Sequence, residues 1–233
     1  CGSKTDIPPE ELEDVVKLDK TAFQPWYQSI FTQAQPTDQH YIKRPNLLCY
    51  YPISDANKIS MIYEVLQEVQ VCEILRLQPH PNIAKYMGCE VHDNKISGLC
   101  CKQYKESLQK LLNPGHLNKR AFARSVCLDA KWCSSIIEGI KKGLKHLHAL
   151  GFVHNDLTPS DVMLDERDIA IIIHFGSCRR RGESLTGVGR TYEWYDDEVK
   201  IASPSNDLDA LAEMEAWMLG KVDDFKFGEN SGR

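Results

Sequence analysis

The stretch HNDLTPSDVMLDERDIAIIIHFG, residues 154–176, decides the reading of this chain. It parses as a tight polar loop, a short strand at Val162–Leu164, a turn at Asp165–Asp168, a second strand at Ile169–Ile173, and a loop ending in Gly176. Asp156 sits in the first loop, and Asp161 follows five residues later. His174 stands at the end of the second strand, where a third oxygen donor would complete a hard-cation site. A loop carboxylate at Asp156 suits the orientation of an acceptor hydroxyl. Asp161 suits an oxygen contact to Mg²⁺.

Outward from that core, helical periodicity marks three elements. Ile62, Val65, Leu66, Val69, Cys72 and Leu75 form one face of a helix over about 58–77, ended by Pro79 and Pro81. Ile136, Ile137, Ile140, Leu144 and Leu147 form the buried stripe of a helix over about 129–150, with Glu138, Lys141, Lys142 and Lys145 facing water and Gly151 as its cap. Leu208, Leu211, Met214 and Met218 share a face over about 206–219. Strands are expected at Tyr41–Lys43, Leu47–Tyr51, Ile83–Tyr86 and Gly98–Cys101, with a turn at His92–Lys95 and a strand entry near Val15 and Val16. Gln103–Leu112 reads as a short amphipathic helix stopped by Pro114 and Gly115. Strands come early and helices late, which predicts a small mixed lobe followed by a helical one.

Composition narrows the function classes. A chain of 233 residues with 42% apolar residues can bury a substantial core. A net charge of −5 gives no electrostatic case for nucleic acid, and Arg179–Arg181 is too short a basic run to supply one. No apolar run is long enough to span a bilayer, so no membrane partner is expected. The nine cysteines show no CxxC spacing, which argues for free thiols in a reducing compartment, cytoplasmic or nuclear, rather than structural zinc.

The ordered motifs resemble the protein kinase superfamily over about residues 41–220. His154-Asn155-Asp156-Leu157, Pro159 and Asp161 are similar to the catalytic loop HRDLKPxN, and His174-Phe175-Gly176 to the DFG motif. His80–Ile83 (HPNI) follows the 58–77 helix as it follows the regulatory helix of kinases. Glu68 falls where that helix carries its ion-pairing glutamate, and Lys43 is the candidate lysine partner, both at the nucleotide site. Gly189–Glu198 resembles the end of an activation loop. Ser205–Leu211 resembles the start of the next helix, with Asp207 as its anchoring aspartate. The whole chain is especially similar to kinase-like proteins of filamentous fungi.

The resemblance implies an α+β, bilobal protein-kinase-like fold with a small mixed N-lobe and a mainly helical, C-terminally shortened C-lobe. Its expected limits are a leader and degenerate lobe start at 1–40, the N-lobe at 41–102, the C-lobe at 103–220 and a polar tail at 221–233. It implies ATP and Mg²⁺ as cofactors, a protein substrate or binding partner, Asp156 as catalytic base, Asp161 as metal ligand, and phosphorylation of protein serine or threonine. Departures weaken that activity. No glycine lies between Ser3 and Met87, so no glycine-rich loop precedes Lys43. Thr158 replaces the loop lysine, Asn155 the loop arginine, and His174 the metal-binding aspartate. Imidazole is a poor Mg²⁺ ligand. A catalytically inactive pseudokinase acting as a binding or scaffold module is the alternative. A small-molecule phosphotransferase is a second, since HND followed by a later metal loop also resembles choline- and aminoglycoside-kinase cores.

Overall fold

The computed structural model describes residues 20–45 and 55–228. The expected strands near Val15 and at Leu47–Tyr51 lie outside the described residues. A three-stranded antiparallel sheet forms the first lobe, in the order β1 (His40–Lys43), β3 (Lys95–Lys102), β2 (Tyr86–His92). Lys43 pairs with Leu99 and Tyr41 with Cys101. The β2–β3 hairpin turns at Asp93 (φ 50°) and Asn94 (φ 60°), two left-handed residues whose twist matches that of the strands. Helix α1 (Asp55–Leu77) packs against β2 and buries Met61, Val65, Val69, Cys72 and Leu75; Ile62 and Leu66 of the expected stripe are half-buried.

Helix α4 (Ala130–Ala149) is the spine of the second lobe. Asp129 caps it by accepting the Trp132 N–H, and Gly151 leaves it at φ +85°. All five residues of its predicted apolar stripe are buried. The face carrying Gly143 lies against the strand pair β6 (Val162–Leu164) and β7 (Ala170–Ile172). A Cβ at Gly143 would stand 2.8 Å from Asn82 O and 2.9 Å from Ile172 Cδ1, so only glycine permits the approach. Helix α5 (Pro204–Met218) packs on α4 and on α3 (Lys119–Ser125), with Trp217 stacked on Phe122 at 4.1 Å.

Three local expectations are corrected. Residues 83–86 do not form a separate strand: Ala84 N–H donates to Ile172 O and Ile172 N–H to Asn82 O, so 82–84 are drawn to β7, and β2 starts at Tyr86. The 103–112 helix is only α2 (Leu108–Leu112), because β4 (Glu106–Ser107) pairs with β6 and Ser107 then caps the helix. Leu208 is 49% exposed, and the buried face of α5 is set by Asp207, Ala210, Leu211, Met214, Trp217 and Met218. Helix α3 carried no clear periodic signal, being only seven residues long.

The chain therefore has the expected α+β, two-lobed architecture. Within the stretch expected as a polar tail, a 3-10 turn at Val222–Asp224 brings Phe225 to 6% exposure, while Asp223, Asp224 and Lys226 stay exposed. Beneath it, Lys119 and Glu213 form an ion pair of 2.5 Å with side chains only 2% and 1% exposed.

Candidate active site

The loop that follows α4 is built around one buried carboxylate. Asp207, on the first turn of α5, is fully buried and accepts the N–H of His154 (2.8 Å) and of Asn155 (2.8 Å). It also lies 2.7 Å from His148 Nε2. Two short strands, β5 (Phe152–Val153) and β8 (Arg179–Arg180), clamp the loop from outside. Asn155 takes a left-handed conformation (φ 64°), and its amide donates to Val153 O (2.9 Å) and Ser177 O (3.2 Å). It thus ties the loop to the segment after Gly176. His154 stands buried against Phe175, and its Nε2 is 3.0 Å from Ile173 O.

That scaffold presents Asp156 and Asp161 to the groove between the lobes. Asp156 accepts the Thr191 N–H at 2.6 Å, a contact that places the 189–198 segment over it. Burial and the Asp161 charge push its carboxyl above the usual range, against the opposing bonds from Thr191. Asp161 ends the 3-10 turn Pro159–Asp161 that Thr158 caps, and Thr158 Oγ1 donates to Asp161 Oδ2 at 2.5 Å. The other carboxylate oxygen, Oδ1, lies 3.2 Å from His174 Nδ1. That hydrogen bond raises the His174 pKa; burial and the Lys43 charge oppose it, and Glu68 and Asp161 add to it. His174 has φ 64°, a left-handed position that a non-glycine residue holds only where its surroundings compel it.

From the other lobe, Lys43 Nζ reaches both oxygens of Glu68, at 2.6 and 2.8 Å. Glu68 Oε1 also accepts the Phe175 N–H at 2.9 Å, so the pair is joined to the loop of His174. Burial pushes the Glu68 carboxyl up, but Lys43, His174 and the Phe175 N–H together outweigh it and hold the pKa below the usual range. The lysine and glutamate selected from sequence are therefore brought together, as are Asp156, Asp161 and His174.

These residues line two adjoining hollows. One, of about 530 Å³, runs from Lys43, Glu68 and His174 past Cys101 and Tyr104 to Ser107 and Met163. Its size and mixed lining suit a nucleotide. The other, of about 560 Å³, lies between α1 and the 187–191 segment and includes Asp156, Arg179 and Thr191. Thr191, Tyr104 and Met163 were not singled out from sequence. The sequence signal for them was only their place within the stretches 189–198, 103–112 and 154–176.

Both Asp161 oxygens are engaged, one by a hydroxyl and one by imidazole, and His174 supplies nitrogen in place of a hard oxygen donor. Among the described residues, no group of three or more His, Cys, Asp or Glu side chains is arranged to hold a metal ion. The donor set does not fit Mg²⁺.

The profile of the family described as Protein kinase domain matches residues 52–221. Lys43 lies before that span, and the geometry alone joins it to Glu68. The chain is 25% identical to the serine/threonine-protein kinase Tao of Drosophila melanogaster over 160 residues, 67% of this chain and 14% of that protein. It is 29% identical to the serine/threonine-protein kinase SSK22 of Saccharomyces cerevisiae over 153 residues, 65% of this chain and 10% of that protein. A probable cell division protein kinase of Encephalitozoon cuniculi is 26% identical over 220 residues, 91% of this chain and 60% of that protein. The chain thus spans less than two thirds of the length of each of these relatives. With the fold, the ordered loops and the profile in agreement, the chain belongs to the protein kinase domain family.

Proposed function

We propose that this domain keeps the nucleotide cleft of a protein kinase but transfers phosphate to protein serine or threonine only weakly, and that binding is its main role. One observation carries this reading: His174 Nδ1 sits 3.2 Å from Asp161 Oδ1, in the place where the catalytic-loop asparagine and the DFG aspartate of a kinase would hold metal. Metal bridging is worth several kcal/mol in a phosphoryl-transfer transition state, so its loss costs roughly a hundredfold to many thousandfold in rate. The missing glycine loop and Thr158 in place of the loop lysine add to that loss. Lys43, Glu68 and the 530 Å³ hollow remain suited to ATP itself. The partner is a protein, held as a substrate or as a scaffolded ligand. The buried free thiols fit a reducing compartment, cytoplasmic or nuclear.

Active phosphorylation is the second reading, favoured by the formed Lys43–Glu68 pair and by Asp156 at the mouth of the cleft. A thermal-shift titration with ATP, with and without Mg²⁺ or Mn²⁺, separates the two. The parent is expected to be stabilised by ATP to the same extent with and without metal, and His174→Asp to gain a metal-dependent increment. No shift in the parent would sink the nucleotide reading. No gain in His174→Asp would sink the account of the lost metal site. Metal-dependent phosphate transfer by the parent, abolished in Asp156→Asn, would replace our reading with the active one.

A further inference from the structure

Residues 25–34 run past the β2–β3 hairpin: 25–27 bond to its turn and to the start of β3, and 32–34 bond to β2 at Cys89. Ile96 N–H donates to Pro25 O (2.9 Å), Tyr27 N–H to Asn94 O (2.8 Å), Cys89 N–H to Thr32 O (2.7 Å) and Ala34 N–H to Cys89 O (2.9 Å). Gly88 admits this approach. It has φ +133°, and a Cβ there would stand 2.7 Å from Ala34 N and 2.8 Å from Thr32 O. Strand β2 is therefore shaped to receive residues 32–34.

The same segment grips α1. Thr32 donates twice to one carboxylate, from its N–H to Glu73 Oε1 (2.6 Å) and from its hydroxyl to Glu73 Oε2 (2.9 Å). Arg76 Nε adds a third bond to Glu73 at 3.1 Å. Phe31 is 5% exposed and belongs to one buried cluster with Val65, Val69 and Cys72 of α1. The 3-10 turn Lys20–Phe23 lies against the same helix.

Helix α1 carries Glu68 to Lys43 and to the Phe175 N–H. Glu73 stands about one and a half turns further along the same rigid element. Holding Glu73 fixes the rotation and height at which Glu68 arrives. We infer that residues 23–34, through Phe31 and the Thr32–Glu73 contact, are a positioning element that sets the Lys43–Glu68 pair and so the nucleotide cleft. These residues touch no nucleotide; they act through α1. The link to the cleft rests on the nucleotide reading above.

The test uses the full chain and needs no ligand for its first arm. The Phe175 N–H has Glu68 Oε1 as its acceptor, so its hydrogen exchange reports where Glu68 sits. In Glu73→Ala, exchange over 174–177 is expected to quicken about tenfold, with the α4 amides around Ile140 and Leu144 unchanged. Thr32→Val removes only the hydroxyl bond and is expected to give a smaller change of the same kind; it carries the test if Glu73→Ala does not fold. Unchanged protection at 174–177, or equal loosening of α4, overturns the inference. The second arm titrates a fluorescent ATP analogue into the parent and Glu73→Ala, each with Lys43 intact or changed to Met. Glu73→Ala is expected to weaken binding several-fold with Lys43 present and not at all in Lys43→Met. Equal weakening in both backgrounds would mean that the segment acts on stability alone. If the parent binds no nucleotide, the nucleotide reading falls, while the exchange result still decides whether the segment positions Glu68.

Discussion

His174 Nδ1 and Asp161 Oδ1 face each other at 3.2 Å across the mouth of the cleft. The contact joins the two loops that carry these residues. It also makes the histidine's charge part of the stability of the fold. The folded His174 pKa is raised, chiefly by this hydrogen bond. The stabilisation is therefore fully present below the unfolded value of about 6.5 and is lost as pH rises through the folded pKa. We predict that the melting temperature falls as pH is raised from about 6 to 8, by a modest amount worth under about 1 kcal/mol, because the side chain is partly open to solvent. His174→Asn should flatten that part of the profile. A parent profile identical to that of His174→Asn would refute the contact.

Asp207 is the fold's internal anchor for the loop that carries Asp156. It accepts two main-chain N–H groups, of His154 and Asn155, with no exposure to water. Asp207→Ala leaves both donors buried without a partner, at about 1–3 kcal/mol each. The expected fall in melting temperature is roughly 4–24 °C, at about 2–4 °C per kcal/mol for a chain of this size. Calorimetry on the variant checks it, and a fall of less than about 2 °C would contradict the assignment.

Lys119 ties four segments together. Its ammonium donates to Glu213 and to the carbonyls of Glu193 and Phe227, and it lies 4.5 Å from the Phe225 ring centre and 4.9 Å from that of Trp194. Burial pulls its pKa below the usual range, against the pull of Glu213, so the pair is costly to strand. Lys119→Met is expected to destabilise by about 3 kcal/mol. It should also release residues 225–228 to proteolysis before the rest of the lobe. Uniform resistance of that segment would show that the pair does not hold it.

Gly143 separates helix propensity from packing. In an exposed helix, Gly→Ala gains up to about 1 kcal/mol. Here the added methyl meets Asn82 O at 2.8 Å and Ile172 Cδ1 at 2.9 Å, so overpacking at about 1–3 kcal/mol outweighs the gain. Chemical denaturation should show net destabilisation of Gly143→Ala. A more stable variant would mean that α4 does not pack on β7 as described.

The sequence by itself determined whatever repeats along the chain. The stripes over 58–77 and 129–150 required helices there, and both formed with their apolar faces inward, because neighbours at three and four positions share a helix face wherever the helix lies. The order of loop motifs likewise marked Asp156, Asp161 and His174 as one site. Tertiary structure decided which groups meet. Glu68 bonds the Phe175 N–H across 107 residues, Lys119 meets Glu213 across 94, and Thr32 meets Glu73 across 41. No local propensity encodes those separations. The same competition redirected 82–84 to β7 and shortened the helix after Gln103, where ladder bonds to a distant strand outweighed a short stretch of helical pattern. The His174 substitution was visible in the sequence; only packing placed its imidazole against Asp161, where the two side chains close the gap that a metal would bridge.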